Sequence, residues 1–127
     1  MHVVQANLLP VPERLAHAEV LEEWPSLVDI AEIAAAGGVR VTGLQASRRR
    51  DRILRNRIEY PFVDVVGACG PPGRARRLAT FLADMRADVL HVQGLASPAD
   101  AFAVSRHLPR LPILCQDHAD RPPRWGR

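Results

Sequence analysis

The chain has 127 residues, 47% of them hydrophobic, with a formal net charge of +3. That is the size and balance of one globular unit able to bury its own core. No window approaches the ~20 consecutive apolar residues of a membrane span, and Met1-His-Val-Val-Gln lacks the basic start and apolar run of a signal peptide. A modest positive charge permits attraction to anions without requiring nucleic acid. All 17 basic residues are arginine, which we take as a compositional habit of the source. Cys69 and Cys115 are far apart and follow no metal spacing, so free thiols are expected rather than a disulfide framework.

In chain order, His2-Val-Val-Gln-Ala6 reads as a short buried strand. Leu8 to Pro12 is an irregular loop, and Arg14 to Glu23 has room for a turn or two of helix. From Pro25, Leu27, Ile30, Ala31 and Ala34 recur on one helical face, and Gly37-Gly38 provides the stop. Val39 to Leu44 is the second strand, followed by Gln45-Ala46-Ser47. The tract Arg48 to Arg57 carries six arginines and is expected to be a solvated loop. Glu59 to Asp64 is a third strand. Pro61 cannot donate to a ladder, which places that strand at a sheet edge. Gly70-Pro71-Pro72-Gly73 is read as a linker into a helix over Arg74 to Arg86, with Leu78, Phe81, Leu82 and Met85 on one face.

The stretch from Asp88 to Asp120 carries most of the argument. Asp88 to Val92 is a buried strand stopped by Gln93-Gly94. Ser97 caps a helix that has Pro98 at its first position and Asp100 at the positive end of its dipole. Pro112 to Cys115 is a further strand, ending on Gln116-Asp117-His118-Ala119-Asp120. Strand, helix and strand in this spacing form a βαβ unit. The whole is expected to be an α/β fold: an open, parallel, Rossmann-like sheet of order 3-2-1-4-5, with helices on both faces, in a single domain over residues 1–127. The Pro-rich end, Arg121 to Arg127, fits neither helix nor strand.

In such a sheet, ligands bind at the carboxyl ends of the strands. Polar side chains recur there: Gln5 and Asn7, Gln45 and Ser47, Gln93, then Gln116, Asp117 and His118. Amides offer both donors and acceptors, which suits a polyhydroxylated ligand; the bland alternative is that they satisfy loop backbones. His118 is the leading single candidate, because an imidazole can give or take a proton near neutral pH. Asp117 and Asp120, close to it in sequence, are candidates to orient or charge it. His91, inside a strand, reads as a core histidine. His2, His17 and His107 carry no signal. The helix start at Ser97 offers backbone N–H groups to an anion, as any helix does. The sequence contains no GxGxxG, GxxxxGK[ST] or GxSxG, and the scattered aspartates have no metal spacing. The arginine tract lacks interleaved aromatics, which argues against nucleic acid as a partner.

The early Trp-Pro-Ser-Leu helix, GGVRVTGLQAS, DVLHVQGLASP and LPILCQDHADRPPR together resemble the N-terminal half of glycosyltransferase family 4. The resemblance covers nearly the whole chain and rests most on DVLHVQG and ILCQDHAD. It implies a GT-B enzyme of two Rossmann-like domains, in which the N-terminal domain contacts the acceptor and the C-terminal domain holds the nucleotide sugar. Transfer in that family is retaining and needs no metal. By position, His118 corresponds to the family's histidine facing the transferred sugar, and is thereby the catalytic candidate. Gln93 and Gly94 correspond to the loop after the fourth strand. With Asn7, Ser97 and Asp117 they make the expected substrate-binding set. Two departures stand out: the loop from Asn7 to Trp24 lacks the family's glycine pair, and Gln93 occupies the place of a second histidine.

The resemblance further implies no cofactor, the nucleotide sugar being a co-substrate bound mainly by a donor domain. That domain is absent from this sequence, so the chain alone is expected to be inactive: a fragment, a truncated frame, or half of a two-chain enzyme. Expected partners are a carbohydrate or lipid-linked acceptor and the donor domain or chain. The expected location is the cytoplasm, free or peripheral to the inner membrane face. The alternative is a free-standing flavodoxin-like binding or interaction module without catalysis, since one α/β architecture hosts many functions.

Overall fold

A computed structural model describes residues 1–65, 70–93 and 98–116. The elements run β1 (His2–Asn7), α1 (His17–Glu23), α2 (Pro25–Ala36), β2 (Arg40–Ala46), β3 (Asp51–Arg55), β4 (Ile58–Val63), α3 (Gly70–Asp84), β5 (Val89–Gln93), α4 (Pro98–His107) and β6 (Ile113–Gln116). They build an α/β fold around a six-stranded sheet of order β3-β4-β2-β1-β5-β6. Every pairing is parallel except that of β3 with β4.

The expected order 3-2-1-4-5 is therefore incomplete. The arginine tract expected to be a loop contains β3, which adds an antiparallel strand outside β4. Asn56 and Arg57 join the two strands with φ of 51° and 66°. Two successive positive φ values make the tight hairpin whose twist matches its strands, and asparagine tolerates that region better than most residues. The edge position expected from Pro61 is likewise wrong, because β4 lies between β2 and β3. The β2–β4 pairs run Thr42 with Glu59 and then Gln45 with Phe62. The ladder is interrupted around the proline, so its missing N–H is accommodated inside the sheet.

The linker expected over Gly70 to Gly73 is instead the first turn of α3. Prolines are tolerated there because first-turn N–H groups have no intrahelical partner. The expected capping by Ser97 lies outside the described residues. Among the described residues, no helix is long and apolar enough to cross a membrane.

Two apolar layers hold the sheet. On one face, Val4, Ala6, Leu44, Ala46, Leu90 and Val92 pack with Leu78, Ala79 and Leu82 of α3 and Ala101 and Val104 of α4. On the other, Val41, Ile58, Tyr60 and Phe62 pack with Val20 and Leu21 of α1 and Leu27, Val28 and Ala31 of α2. Helices from the two halves of the chain thus cover opposite faces. Gly43 is fixed by this packing: a Cβ there would lie 2.5 Å from Cδ1 of the Tyr60 ring.

His2 ties the amino end of the sheet to α3. Its backbone N–H donates to Asp88 Oδ2 at 2.7 Å, and its ring Nδ1 lies 3.1 Å from the Met85 carbonyl. A carbonyl only accepts, so Nδ1 carries the proton and Nε2 receives the Thr42 hydroxyl at 2.8 Å. Burial lowers the His2 pKa from its ordinary 6.5, because desolvation disfavours the charged ring.

Candidate functional site

Alternation along each strand decides which side chains reach the carboxyl edge on which face. In β1, Val4 and Ala6 point toward α3 and α4, so Gln5 and Asn7 belong to the opposite face. Register then aligns neighbours across the sheet. Asn7 pairs with Gln45 on one side, and Gln45 with Phe62 beyond it. On the other side the β1–β5 ladder runs to Ala6 with Val92, so the next residues, Asn7 and Gln93, stand side by side. Gln93 in turn pairs with Gln116. Four amides, Gln45, Asn7, Gln93 and Gln116, thus form one row across β2, β1, β5 and β6. A level below, Gln5 pairs with His91, and the Gln93 amide nitrogen donates to Gln5 Oε1 at 3.1 Å.

This row crosses the point where chain order reverses, between β1 and β5. In doubly wound sheets that reversal opens the crevice in which ligands sit. Two of the expected binding residues, Asn7 and Gln93, flank it. Gln45 is fully buried, and its amide nitrogen donates to the carbonyls of Leu9 (2.7 Å) and Ala46 (2.9 Å). Its Oε1 is buried with no partner among the described residues. Asn7 Oδ1 accepts the Leu9 N–H at 3.2 Å, a local turn contact that leaves the amide nitrogen for another acceptor. The row is partly committed to its own loops, as the bland reading expects, and partly available. The other expected site residues, Gly94, Ser97, Asp117 and His118, lie outside the described residues.

A second polar group was not expected from the sequence. His17, the first residue of α1, places Nδ1 2.7 Å from Asp51 Oδ2 and Nε2 3.0 Å from Ser47 Oγ. Its ring stacks on Phe62 with centroids 4.0 Å apart and planes 17° from parallel. With the proton on Nδ1 facing the carboxylate, Nε2 accepts the serine hydroxyl. That is the hydrogen-bond order of an Asp-His-Ser relay. Two further facts make it a lock rather than a nucleophile. Ser47 is 2% exposed, and its Oγ also accepts the Arg49 N–H at 3.1 Å. Its own N–H, the usual contributor to an oxyanion hole, is spent on the Val63 carbonyl at 2.9 Å. The trio joins α1 to the ends of β2 and β3 beside the amide row. The hydrogen bond from His17, helped by the Arg52 N–H, holds the Asp51 carboxyl below its ordinary pKa.

No metal-type cluster of three or more His, Cys, Asp or Glu side chains occurs among the described residues. Cys115 is a free thiol. No family model, no curated protein and no solved structure matches this chain.

Proposed function

We propose that this chain is the acceptor-side domain of a retaining GT-B glycosyltransferase, inactive without a domain that binds the nucleotide sugar. The observation that carries the reading is the amide row at the sheet's reversal point. A polyhydroxylated acceptor needs donors and acceptors alternating over a few ångströms, and neighbouring amides on adjacent strands supply both. Asn7 and Gln93 make the central contacts in this reading, with Gln116 extending the row. By the resemblance, this reading assigns His118, two residues beyond β6 in sequence, to the transferred sugar, and Gly94, Ser97 and Asp117 to substrate binding.

Such a domain orients one substrate, while catalysis needs two held across a cleft, where orientation supplies much of the rate. The test is transfer by the chain joined to the coding sequence that follows it, supplied with nucleotide sugars and a panel of sugar, polyol and lipid-linked acceptors. Transfer that disappears in His118→Ala, with a raised acceptor KM in Gln93→Leu, supports the reading. A complete protein that neither binds nor consumes any nucleotide sugar overturns it.

A further inference from the structure

A cavity of about 790 Å³ lies away from the amide row. It lies on the α3 side of the sheet's outer end, between α3 and the strands β4 and β3. Its origin is topological. The chain leaves β4, next to the edge strand β3, and enters β5 across β2 and β1, so α3 packs Leu78, Ala79 and Leu82 against the central strands. The same face of β4 and β3 is left as the floor of a groove. Pro61 and Val63 line that floor, with Phe81 and Met85 along the helix wall.

The groove has a chemical direction. Four arginines and four acids line it: Arg50, Arg52, Arg76 and Arg77 against Asp51, Glu59, Asp64 and Asp84. Most of these charges are already engaged. Arg52 pairs with Glu59, Arg77 donates to the Asp64 carbonyl at 2.7 Å, and Asp51 is held by His17. Among the described residues, the guanidinium groups of Arg50 and Arg76 and the carboxylate of Asp84 have no such partner. They lie at opposite ends. Asp51 pairs with Phe62, so Arg50 stands beside the carboxyl end of β4, where Arg77 also fastens the start of α3. Asp84 comes eight residues after Arg76, about 12 Å along the helix, near the amino end of the sheet that His2 ties to Met85. Between the two ends Pro61, Val63 and Phe81 give the lining an apolar strip, flanked by Thr80 and by the Arg52–Glu59 ion pair.

We propose that this groove binds an anionic amphiphile, with its phosphate or carboxylate head between Arg50 and Arg76 and its apolar body over Pro61, Val63 and Phe81. The volume lies within the usual range for small-ligand sites, which are mostly apolar with a few placed polar groups. Arginine at the mouth gives the planar fork suited to phosphate and carboxylate. The reverse orientation would set the head against Asp84.

The experiment titrates the intact chain with octyl phosphate, followed by backbone amide shifts in NMR and by calorimetry. Inorganic phosphate and octanol serve as separate probes. The expected result is saturable binding of octyl phosphate, with shifts at Arg50, Val63, Arg76 and Phe81, and much weaker binding of either half-probe. The double variant R50Q/R76Q, both exposed positions, weakens binding about tenfold, whereas R106Q on α4 leaves it unchanged. Sedimentation with phosphatidylcholine vesicles, with and without phosphatidic acid, distinguishes the source. Binding to the acidic vesicles as well points to a lipid, and binding to octyl phosphate alone points to a soluble amphiphile. Four results overturn the proposal: no saturable binding, equal affinity for inorganic phosphate, affinity unchanged in R50Q/R76Q, or binding to vesicles without binding to octyl phosphate.

Discussion

The two faces of the sheet are built from the same strands and do different work. Toward α3 and α4 the central strands present mainly apolar side chains, Val4, Ala6, Leu44, Ala46, Leu90 and Val92, with the hydrogen-bonded His2 and Thr42 at the amino end. Toward the other face, β1 and β5 present Gln5, Asn7, His91 and Gln93. A strand's two-residue period allows this division, since stability and chemistry can be assigned to alternate positions of one segment. The polar positions gather at the carboxyl edge, where α1 is held by the His17 trio rather than by apolar packing alone. One face fixes the register, and the fixed register lines up the amides on the other.

The largest effect should come from breaking the apolar face. Leu90 is fully buried, and Leu90→Ala should lower stability by about 2–5 kcal/mol, as lost burial and a cavity add together. Chemical denaturation measures it, and a loss well under ~1 kcal/mol would mean that this layer is not the packed core described. Gly43→Ala comes next. The added methyl meets the Tyr60 ring 2.5 Å away, and both the ring and the strand behind it are buried. Overpacking of this kind costs about 1–3 kcal/mol, and the same unfolding experiment would show it as a lower midpoint.

The polar face can be tested more finely. A double-mutant cycle of His17→Ala and Ser47→Ala should return a coupling of about 0.5–3 kcal/mol, as for neighbours in one hydrogen-bonded group. Additive losses would dissolve the trio. Acid should act in the same direction. Asp51 has its pKa depressed in the fold, so the unfolded chain takes up its proton first. Its contribution is present above the ordinary carboxylate range and is lost as pH falls through the depressed value. His2 also has a lowered pKa, so its share is complete above about 6.5, the ordinary histidine value, and declines as pH falls toward the folded value. Stability should therefore fall in two steps on acidification, the first missing in His2→Ala and the second in Asp51→Asn.

The smallest effect belongs to a hydroxyl. Tyr60 is fully buried, its OH has no partner among the described residues, and burial pushes its pKa up to about 12. Removing an unsatisfied buried polar atom relieves a desolvation cost. Tyr60→Phe should be neutral or stabilising by up to ~1 kcal/mol. A clear loss would reveal a bond that this hydroxyl makes.

Much of this arrangement was legible in the sequence, and the exceptions have physical causes. The buried parallel strands advertise themselves as apolar runs, and strand-end amides are visible wherever such a run stops. β3 was hidden because only Ile53 in it is even half-buried. A strand at the sheet's rim has no apolar alternation to show, and arginines mask it. Asn56, set between two extendable segments, was the available clue to the hairpin. The first turn of α3 was concealed by Gly70-Pro71-Pro72-Gly73, a composition that suits linkers and helix starts equally. The His17 trio left no local trace. Its members are separated by 30 and 34 residues and meet only once α1 crosses to the ends of β2 and β3. The amides could be named individually from the chain. Their alignment into one row needed the register.

That row is the centre of the account, and its side-chain amides can be watched directly. A ¹⁵N NMR titration of the chain with inositol and simple glycosides should move the side-chain NH₂ signals of Asn7, Gln93 and Gln116 together and saturably, and Gln93→Leu should abolish the response while leaving the fold intact. Signals that stay fixed at saturating polyol, or that move only at residues away from the β1–β5 reversal, would contradict the assignment of this edge to a sugar.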